Sequence, residues 1–222
     1  GILVNGGGEF FDGVSYHSYD YYQYERGRYA NPNWHASWDS SGPVLTLKTR
    51  FIAGLLDQYG YPDKFLANTE VALICGRTGE EPECQAEDYL FTKASYLVQA
   101  NAAAMAAGIQ TNMWFSLEGW RNSGLVDEQF KPNQAFMAYR FNIGQLNAAD
   151  HVRGFSPAPG VTAHEFVDGA AKKWVLWSVD GQVHEVSLPE MPAKVFDLYG
   201  GELPVAAQIA VEISPLYVIW EP

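Results

Sequence analysis

A strand-like run followed by a helix-like run occurs three times in the first two thirds of this chain. That succession limits its possible folds more than any other feature. The first run covers residues 11–19, where Val14, Tyr16 and flanking aromatics suit a strand. Residues 43–59 follow as a helix: Val44, Leu47, Phe51 and Leu55 recur at helical spacing, Pro43 suits the first turn, Ser40 or Ser41 is available as cap, and Gly60 and Pro62 stop it. The second run, 64–70, is apolar through Phe65, Leu66 and Ala67 and ends on Asn68, Thr69 and Glu70. A loop over 71–85 separates it from a long helix over 86–107, with Leu90, Ala94, Leu97, Asn101 and Met105 on one face. The third run, 109–115, leads through a loop into a helix over 132–146. Repeated β-α units with connections of this length specify a parallel sheet with crossover helices. In such a sheet the strand C-termini share one side, where open and closed parallel sheets place their chemistry.

The pattern changes near residue 150. Short strand-like runs over 161–167, 173–179, 183–188, 193–198, 208–213 and 216–220 are separated by Asp168-Gly169, Asp180-Gly181 and Gly200-Gly201. Asp180-Gly181 carries the strongest hairpin signal. The expected organisation is an α/β region over 1–149 and an antiparallel, β-sandwich-like module over 150–222. Residues 1–8 read as the tail of a helix or as a frayed strand.

Composition narrows the function. With 47% hydrophobic and 18% charged residues, the 222-residue chain can bury a sizeable core. A net charge of −12 disfavours nucleic acid and anionic membrane surfaces as partners. No apolar run is long enough for a membrane span. Cys75 and Cys84, in an exposed-looking loop, could close a disulfide that would suit an exported protein; two free thiols are the alternative. There is no Gly-x-Ser-x-Gly elbow, no phosphate-binding glycine loop, no His-Glu-x-x-His and no metal-ligand spacing of His and Cys, so no metal or cofactor is expected. Aromatic content is high at 14% and dense in the loop over 20–39, which holds Trp34, His35 and Trp38. Density of this kind argues against disorder. Trp34 and Trp38 are candidates for sugar stacking or for packing within the loop.

The three strand ends, gathered on one side, form a constellation. The first offers His17 and Tyr19, which alternate onto one face; the second offers Asn68 and Glu70; the third offers Trp114, with Glu118 in the loop beyond. Taken alone, Glu70 would read as a solvated carboxylate. Beside His, Tyr, Asn and a Trp platform it reads as part of a sugar site, because sugar C–H faces pack on aromatic rings and hydroxyls need polar partners.

These residues carry a resemblance. Phe11-Asp12-Gly13-Val14-Ser15-Tyr16-His17-Ser18-Tyr19, Asn68-Thr69-Glu70, Met113-Trp114-Phe115 and Lys131-Pro132 make residues 1–147 similar to the C-terminal half of a clan A retaining glycoside hydrolase barrel, closest to family 39. The strands would then be six, seven and eight of a (β/α)8 TIM barrel. Trp174-Val175-Leu176-Trp177-Ser178 and Val195-Phe196-Asp197-Leu198-Tyr199-Gly200 resemble the β module that follows such barrels. The resemblance implies that Glu70 is the nucleophile, that His17 or Tyr19 bonds it or the substrate hydroxyls, and that Trp114 floors the sugar subsite. The family's acid/base is a Glu after an Asn at the end of strand four, and no Asn-Glu pair occurs here. The expectation is a C-terminal portion of a longer extracellular or cell-surface enzyme, inactive alone, that associates with the missing barrel half or with another copy of itself. A non-catalytic carbohydrate-binding protein or an assembly module is the alternative.

Overall fold

The computed structural model describes residues 1–34 and 42–221; His35, Trp38, Ser40 and Ser41 lie outside the described residues. The first sheet contains β1 (Gly13–Tyr22), β2 (Tyr29–Ala30), β3 (Phe65–Ile74) and β4 (Thr111–Trp114) in the order β2-β1-β3-β4. β1 pairs with β3, and β3 with β4, in parallel; the short β2 pairs antiparallel with the end of β1. Helix α1 (Val44–Gln58) connects β1 to β3, and α3 (Glu87–Ala106), preceded by the one-turn α2 (Pro82–Gln85), connects β3 to β4. Helix α4 (Gln134–Leu146) follows β4 and is capped by Asn133, whose side chain accepts from the Phe136 amide.

Several boundaries differ from the sequence expectation, each for a physical reason. Residues 1–10 form two 3-10 turns, Leu3–Asn5 and Gly7–Phe10, joined by Gly6 in the left-handed region, and not a helix tail. At the start of α1, Asp20 Oδ2 on β1 accepts from the Val44 amide at 2.8 Å and from the Tyr96 hydroxyl at 3.0 Å. β3 does not stop at Glu70. It continues through Val71, Ala72, Leu73 and Ile74, all buried, so the expected loop over 71–85 begins four residues later and also contains α2. Burying Val71 and Leu73 is worth about 1.5–3 kcal/mol each, which holds the strand together past its polar interruption.

α3 is buried around most of its circumference. Ala94, Leu97, Val98 and Ala102 join one apolar cluster; Tyr89, Tyr96, Ala100 and Ala104 join another with Val71, Leu73 and the two cysteines. The first cluster continues into Phe166, Val175, Trp177 and Tyr217, so α3 and α4 rest on the sheet of the C-terminal region. That sheet has six antiparallel strands in the order β10 (Glu202–Leu203), β9 (Lys194–Phe196), β12 (Leu216–Trp220), β7 (Ala171–Ser178), β6 (Val161–Asp168), β5 (Asp150–Phe155). A two-stranded sheet of β8 (His184–Ser187) and β11 (Gln208–Val211) covers it through Val186, Ile209 and Val211.

The hairpin expected at Asp180-Gly181 does not form. β7 pairs with β6 and β12, while β8 pairs with β11. Asp180 Oδ1 accepts from the Gln182 amide, the Ser178 hydroxyl and His184 Nε2, and this local turn sends the chain out of the large sheet. The two-residue hairpin is at Gly169, with Asp168 paired to Ala171 and Gly169 at φ 61°.

Candidate active site

The site begins with a bulge. Tyr16 on β1 pairs with Asn68 on β3, but the next residue, His17, pairs with Glu70, so Thr69 is an extra residue in β3. In a regular strand, residues two apart share a face. The inserted residue breaks that rule and turns Asn68 and Glu70 to opposite faces. Residues of β1 on the helix side are Tyr16, Ser18 and Asp20, which reach Thr49 on α1, Asn68, and the start of α1 respectively. His17 and Tyr19 occupy the other face, and Glu70 joins them there.

The three groups converge on one atom. The Tyr19 hydroxyl donates to Glu70 Oε2, and His17 Nδ1 lies 3.0 Å from the same oxygen. Glu70 Oε1 has no protein partner among the described residues. The carboxylate is therefore fixed through one oxygen and open at the other, with its side chain 29% exposed. Burial, and then the hydrogen bond to Glu70 and its negative charge, push the Tyr19 hydroxyl pKa well above the usual phenol value. Tyr19 thus stays a proton donor at any working pH. The Tyr19 ring is set edge-on to Phe115 at 6.0 Å and to Trp120 at 6.4 Å. His17 is held from behind: Lys48 Nζ on α1 donates to its carbonyl oxygen at 2.8 Å.

The other sequence candidates separate. Asn68 is fully buried on the helix side, its amide 2.8 Å from Ser18 Oγ and 2.8 Å from Asn112 Oδ1. Trp114 shares that side: its ring packs on Tyr96 of α3 at 6.1 Å, and its indole N–H donates to the Ser123 carbonyl. It does not lie on the face of Glu70. The aromatic groups that do adjoin Tyr19 are Phe115, one residue on, and the exposed Trp120. Trp34 is 39% exposed and packs on Phe51 at 5.7 Å, with Lys48 Nζ 5.9 Å from its ring centre. Glu118 is exposed in the loop after β4.

That loop is tightly anchored. Cys75 and Cys84 are joined in a disulfide, as the free-thiol alternative would not allow. The Cys75 amide donates to the Arg121 carbonyl at 3.1 Å, and the Asn122 side chain donates to the Cys84 carbonyl. From α3, the Tyr89 hydroxyl and Lys93 Nζ donate to the Asn122 carbonyl at 2.7 and 2.8 Å. Lys93 is fully buried, and burial lowers its pKa to about 7. Within the disulfide loop, Glu81 accepts from the Arg77, Thr78 and Gly79 amides. Backbone hydrogen bonds of Glu81 itself, Thr78 and Arg77 bring its carboxyl pKa down to about 2. Sequence reasoning missed Phe115, Trp120 and Arg121. The period-2 rule, applied to β4 from Asn112, would have separated Trp114 from Phe115.

Among the described residues, no three His, Cys, Asp or Glu side chains gather as metal ligands. No helix among the described residues is long and apolar enough to cross a membrane.

The chain was compared with known proteins. No protein-family model and no curated protein sequence matches it. Solved structures do. A family 39 glycoside hydrolase from the gut symbiont Bacteroides cellulosilyticus WH2 superposes with a TM-score of 0.72 at 16% identity, over 99% of this chain and 46% of that one. The fold is similar to that of part of this glycoside hydrolase chain. A β-porphyranase of family 86 from Bacteroides plebeius matches at TM-score 0.60 and 13% identity, over 98% of this chain and 42% of its own. An α-L-arabinofuranosidase from Thermotoga maritima matches at 0.58 and 13%, over 96% and 53%. The glycoside hydrolase likeness at these identities is one of fold, and the chain spans about half the length of each of these structures.

Proposed function

We propose that this chain is the C-terminal portion of a retaining glycoside hydrolase, with β1, β3 and β4 as strands six to eight of its barrel and residues 150–222 as the following β module. Glu70 is the nucleophile in this reading. The observation that carries it is the convergence of Tyr19 and His17 on one oxygen of Glu70, which leaves the other free on the strand face that a barrel would enclose. A retaining hydrolase needs a carboxylate to attack the anomeric carbon and a second carboxyl, about 5–5.5 Å away, to protonate the leaving oxygen and then activate water. The free Glu70 oxygen forms the glycosyl bond. Tyr19 and His17 hold the carboxylate in line and stabilise its charge until attack. Phe115 and Trp120, in place of Trp114, present ring faces and edges to the sugar. Glu118 and Trp34 are assigned here to contacts with an extended glycan beyond the reacting sugar.

The second carboxyl is proposed to come from barrel strands outside this chain, which also cover the exposed sheet face at Phe65 and Met113, 46% and 51% exposed. Fold likeness to structures twice the length supports that arrangement. The substrate is a polysaccharide or glycoside, and the disulfide suits a site of action outside the cell. The test is Glu70→Gln in the complete barrel. Hydrolysis of aryl glycosides should fall by at least about 10⁴-fold, as expected when a covalent step is removed, while oligosaccharide affinity measured by calorimetry stays within a few fold. Retained turnover refutes the assignment. Binding with no hydrolysis by the wild-type barrel favours a carbohydrate-binding protein instead.

A further inference from the structure

A cavity lies one step beyond Tyr19 along β1. It has a volume of about 270 Å³ and is walled by Tyr21, Tyr24, Ala30, Pro32, Gly76 and Arg121. Tyr21 follows Tyr19 by two residues on the same face of β1, a displacement of about 7 Å on the scale of one sugar unit. The connection to the site is direct. Trp120 touches Tyr19, and the Arg121 guanidinium carbon stands 5.3 Å from the Trp120 ring centre and 5.5 Å from that of Tyr21.

Arg121 is unusual in what it lacks. Among the described residues its side-chain partners are the Cys75 carbonyl oxygen, 3.4 Å from Nε, and the two aromatic rings; none is a carboxylate. A guanidinium offers five N–H donors in a planar fork, and most of them are left for a ligand. This occurs in a chain of net charge −12, where carboxylates outnumber cations.

The cation is also presented at a conformational cost. Arg121 and Asn122 have φ of 54° and 56°, and Tyr24, across the cavity, has φ of 60°. Such non-glycine residues in the left-handed region persist only where the surroundings enforce them. Here the enforcement comes from the disulfide loop and from Tyr89 and Lys93. Gly79 allows it: a Cβ there would sit 2.5 Å from Arg121 Cα.

We propose that this cavity is a subsite for an anionic sugar unit, with Arg121 receiving its carboxylate or sulfate group between the rings of Tyr21 and Trp120. The inference rests on the glycosidase reading for its position next to the reacting sugar. The binding itself uses only residues of this chain.

The test is calorimetric titration of the complete barrel, carrying Glu70→Gln so that no probe is cut, with three probes: tetragalacturonate, a sulfated carrageenan tetrasaccharide and neutral xylotetraose. One anionic probe should bind at least about 10-fold tighter than xylotetraose, with affinity falling as salt rises. Which one wins identifies carboxylate or sulfate. Arg121→Gln should remove that preference and leave xylotetraose within about 2-fold; Arg121→Lys, which keeps charge but loses the fork, should fall between. Arg121→Gly is the control for folding, since glycine relaxes the left-handed backbone. It should melt no lower than wild type and still lose the anionic preference. Equal binding of all three probes, no binding of any, or an anionic preference that survives Arg121→Gln and Arg121→Gly overturns the proposal. The two readings fail separately. Hydrolysis by the complete barrel without any Arg121-dependent preference for anionic over neutral glycans refutes the subsite alone, and Arg121-dependent anion binding by a complete barrel that hydrolyses nothing refutes the enzyme alone.

Discussion

At the residue scale, the Glu70 carboxylate is handled asymmetrically. Both donors reach Oε2, so the hydrogen bonds position the group without occupying the oxygen that would react. Tyr19 is the donor whose removal is cleanest, because its ring also packs on Phe115 and Trp120 and phenylalanine would keep those contacts. Hydrogen bonds to charged groups are worth about 1.5–3 kcal/mol. Tyr19→Phe in the complete barrel should therefore lower kcat by roughly 10- to 100-fold with little change in KM, read from steady-state hydrolysis of an aryl glycoside. An unchanged kcat would reduce Tyr19 to a packing residue. His17, Tyr19 and Glu70 were legible as neighbours from alternation along β1 and the strand-end argument. Asn68 was not separable from Glu70 in that way, because a bulge leaves no mark in a sequence of polar residues that all suit a strand end. Trp114 was misplaced for a simpler reason: a large aromatic at a strand end draws attention away from the parity that assigns it to the helices.

At the scale of elements, α3 does more than cross between two strands. Its N-terminal half carries Tyr89 and Lys93, which hold the loop presenting Trp120 and Arg121. Lys93 Nζ donates to the Asn122 and Gly124 carbonyls, each at 2.8 Å. Both oxygens have another donor, Tyr89 for Asn122 and Asn133 for Gly124. The loop therefore does not depend on the ammonium alone. The pKa of Lys93 is about 7 in the fold because burial disfavours the charge, against about 10.4 in an unfolded chain. Between those values the unfolded state binds more protons, so stability should rise with pH from about 7 to about 10. Lys93→Met should flatten that rise, as measured by urea unfolding at several pH values. A wild-type profile without the rise would show that the amine is not desolvated as its burial implies. The helices and the three parallel strands were legible because proline, glycine and helical spacing punctuate them. β5 escaped notice because it lies at the sheet edge with mostly exposed, non-alternating residues. The Asp180-Gly181 turn misled because a turn signal specifies a reversal, and not which strand the chain will pair with next.

At the scale of the whole molecule, the sheet that carries Glu70 and the C-terminal sheet pack on α3 through separate apolar clusters, with Trp114 against both, and a line of amides joins them. From Asn68 the line runs to Asn112 on β4. Asn112 Nδ2 donates to Asn101 Oδ1 on α3 at 2.9 Å, Asn101 Nδ2 to Asn142 Oδ1 on α4 at 2.9 Å, and Asn142 Nδ2 to the buried Tyr217 hydroxyl on β12 at 2.9 Å. Removing the last acceptor leaves a buried donor without a partner, which costs about 1–3 kcal/mol. Tyr217→Phe should destabilise the chain by that amount in urea unfolding. Adding Asn142→Leu should cost less than the sum of the two single changes, because the orphaned group leaves with it. Strict additivity would mean that the amides are independent. The line was invisible in the sequence, since four asparagines on four elements have no spacing in common.

An amide has two ends of similar shape and opposite sense. Turned over, Asn68 accepts from the Ser18 hydroxyl at 2.8 Å and donates to the Glu70 and Tyr16 carbonyls at 3.0 and 3.2 Å. It then offers oxygen to Asn112, which must answer with nitrogen, and the same demand passes to Asn101 and Asn142 in turn. At the far end Tyr217 changes from receiving a proton to giving one. No member can reverse alone without setting oxygen against oxygen or nitrogen against nitrogen. The row therefore has a single polarity, running from the backbone of the candidate nucleophile to a phenol in the C-terminal sheet; Asn68→Asp, which can only accept, would fix its reversed sense, whereas aspartate at an inner member would turn both halves toward itself.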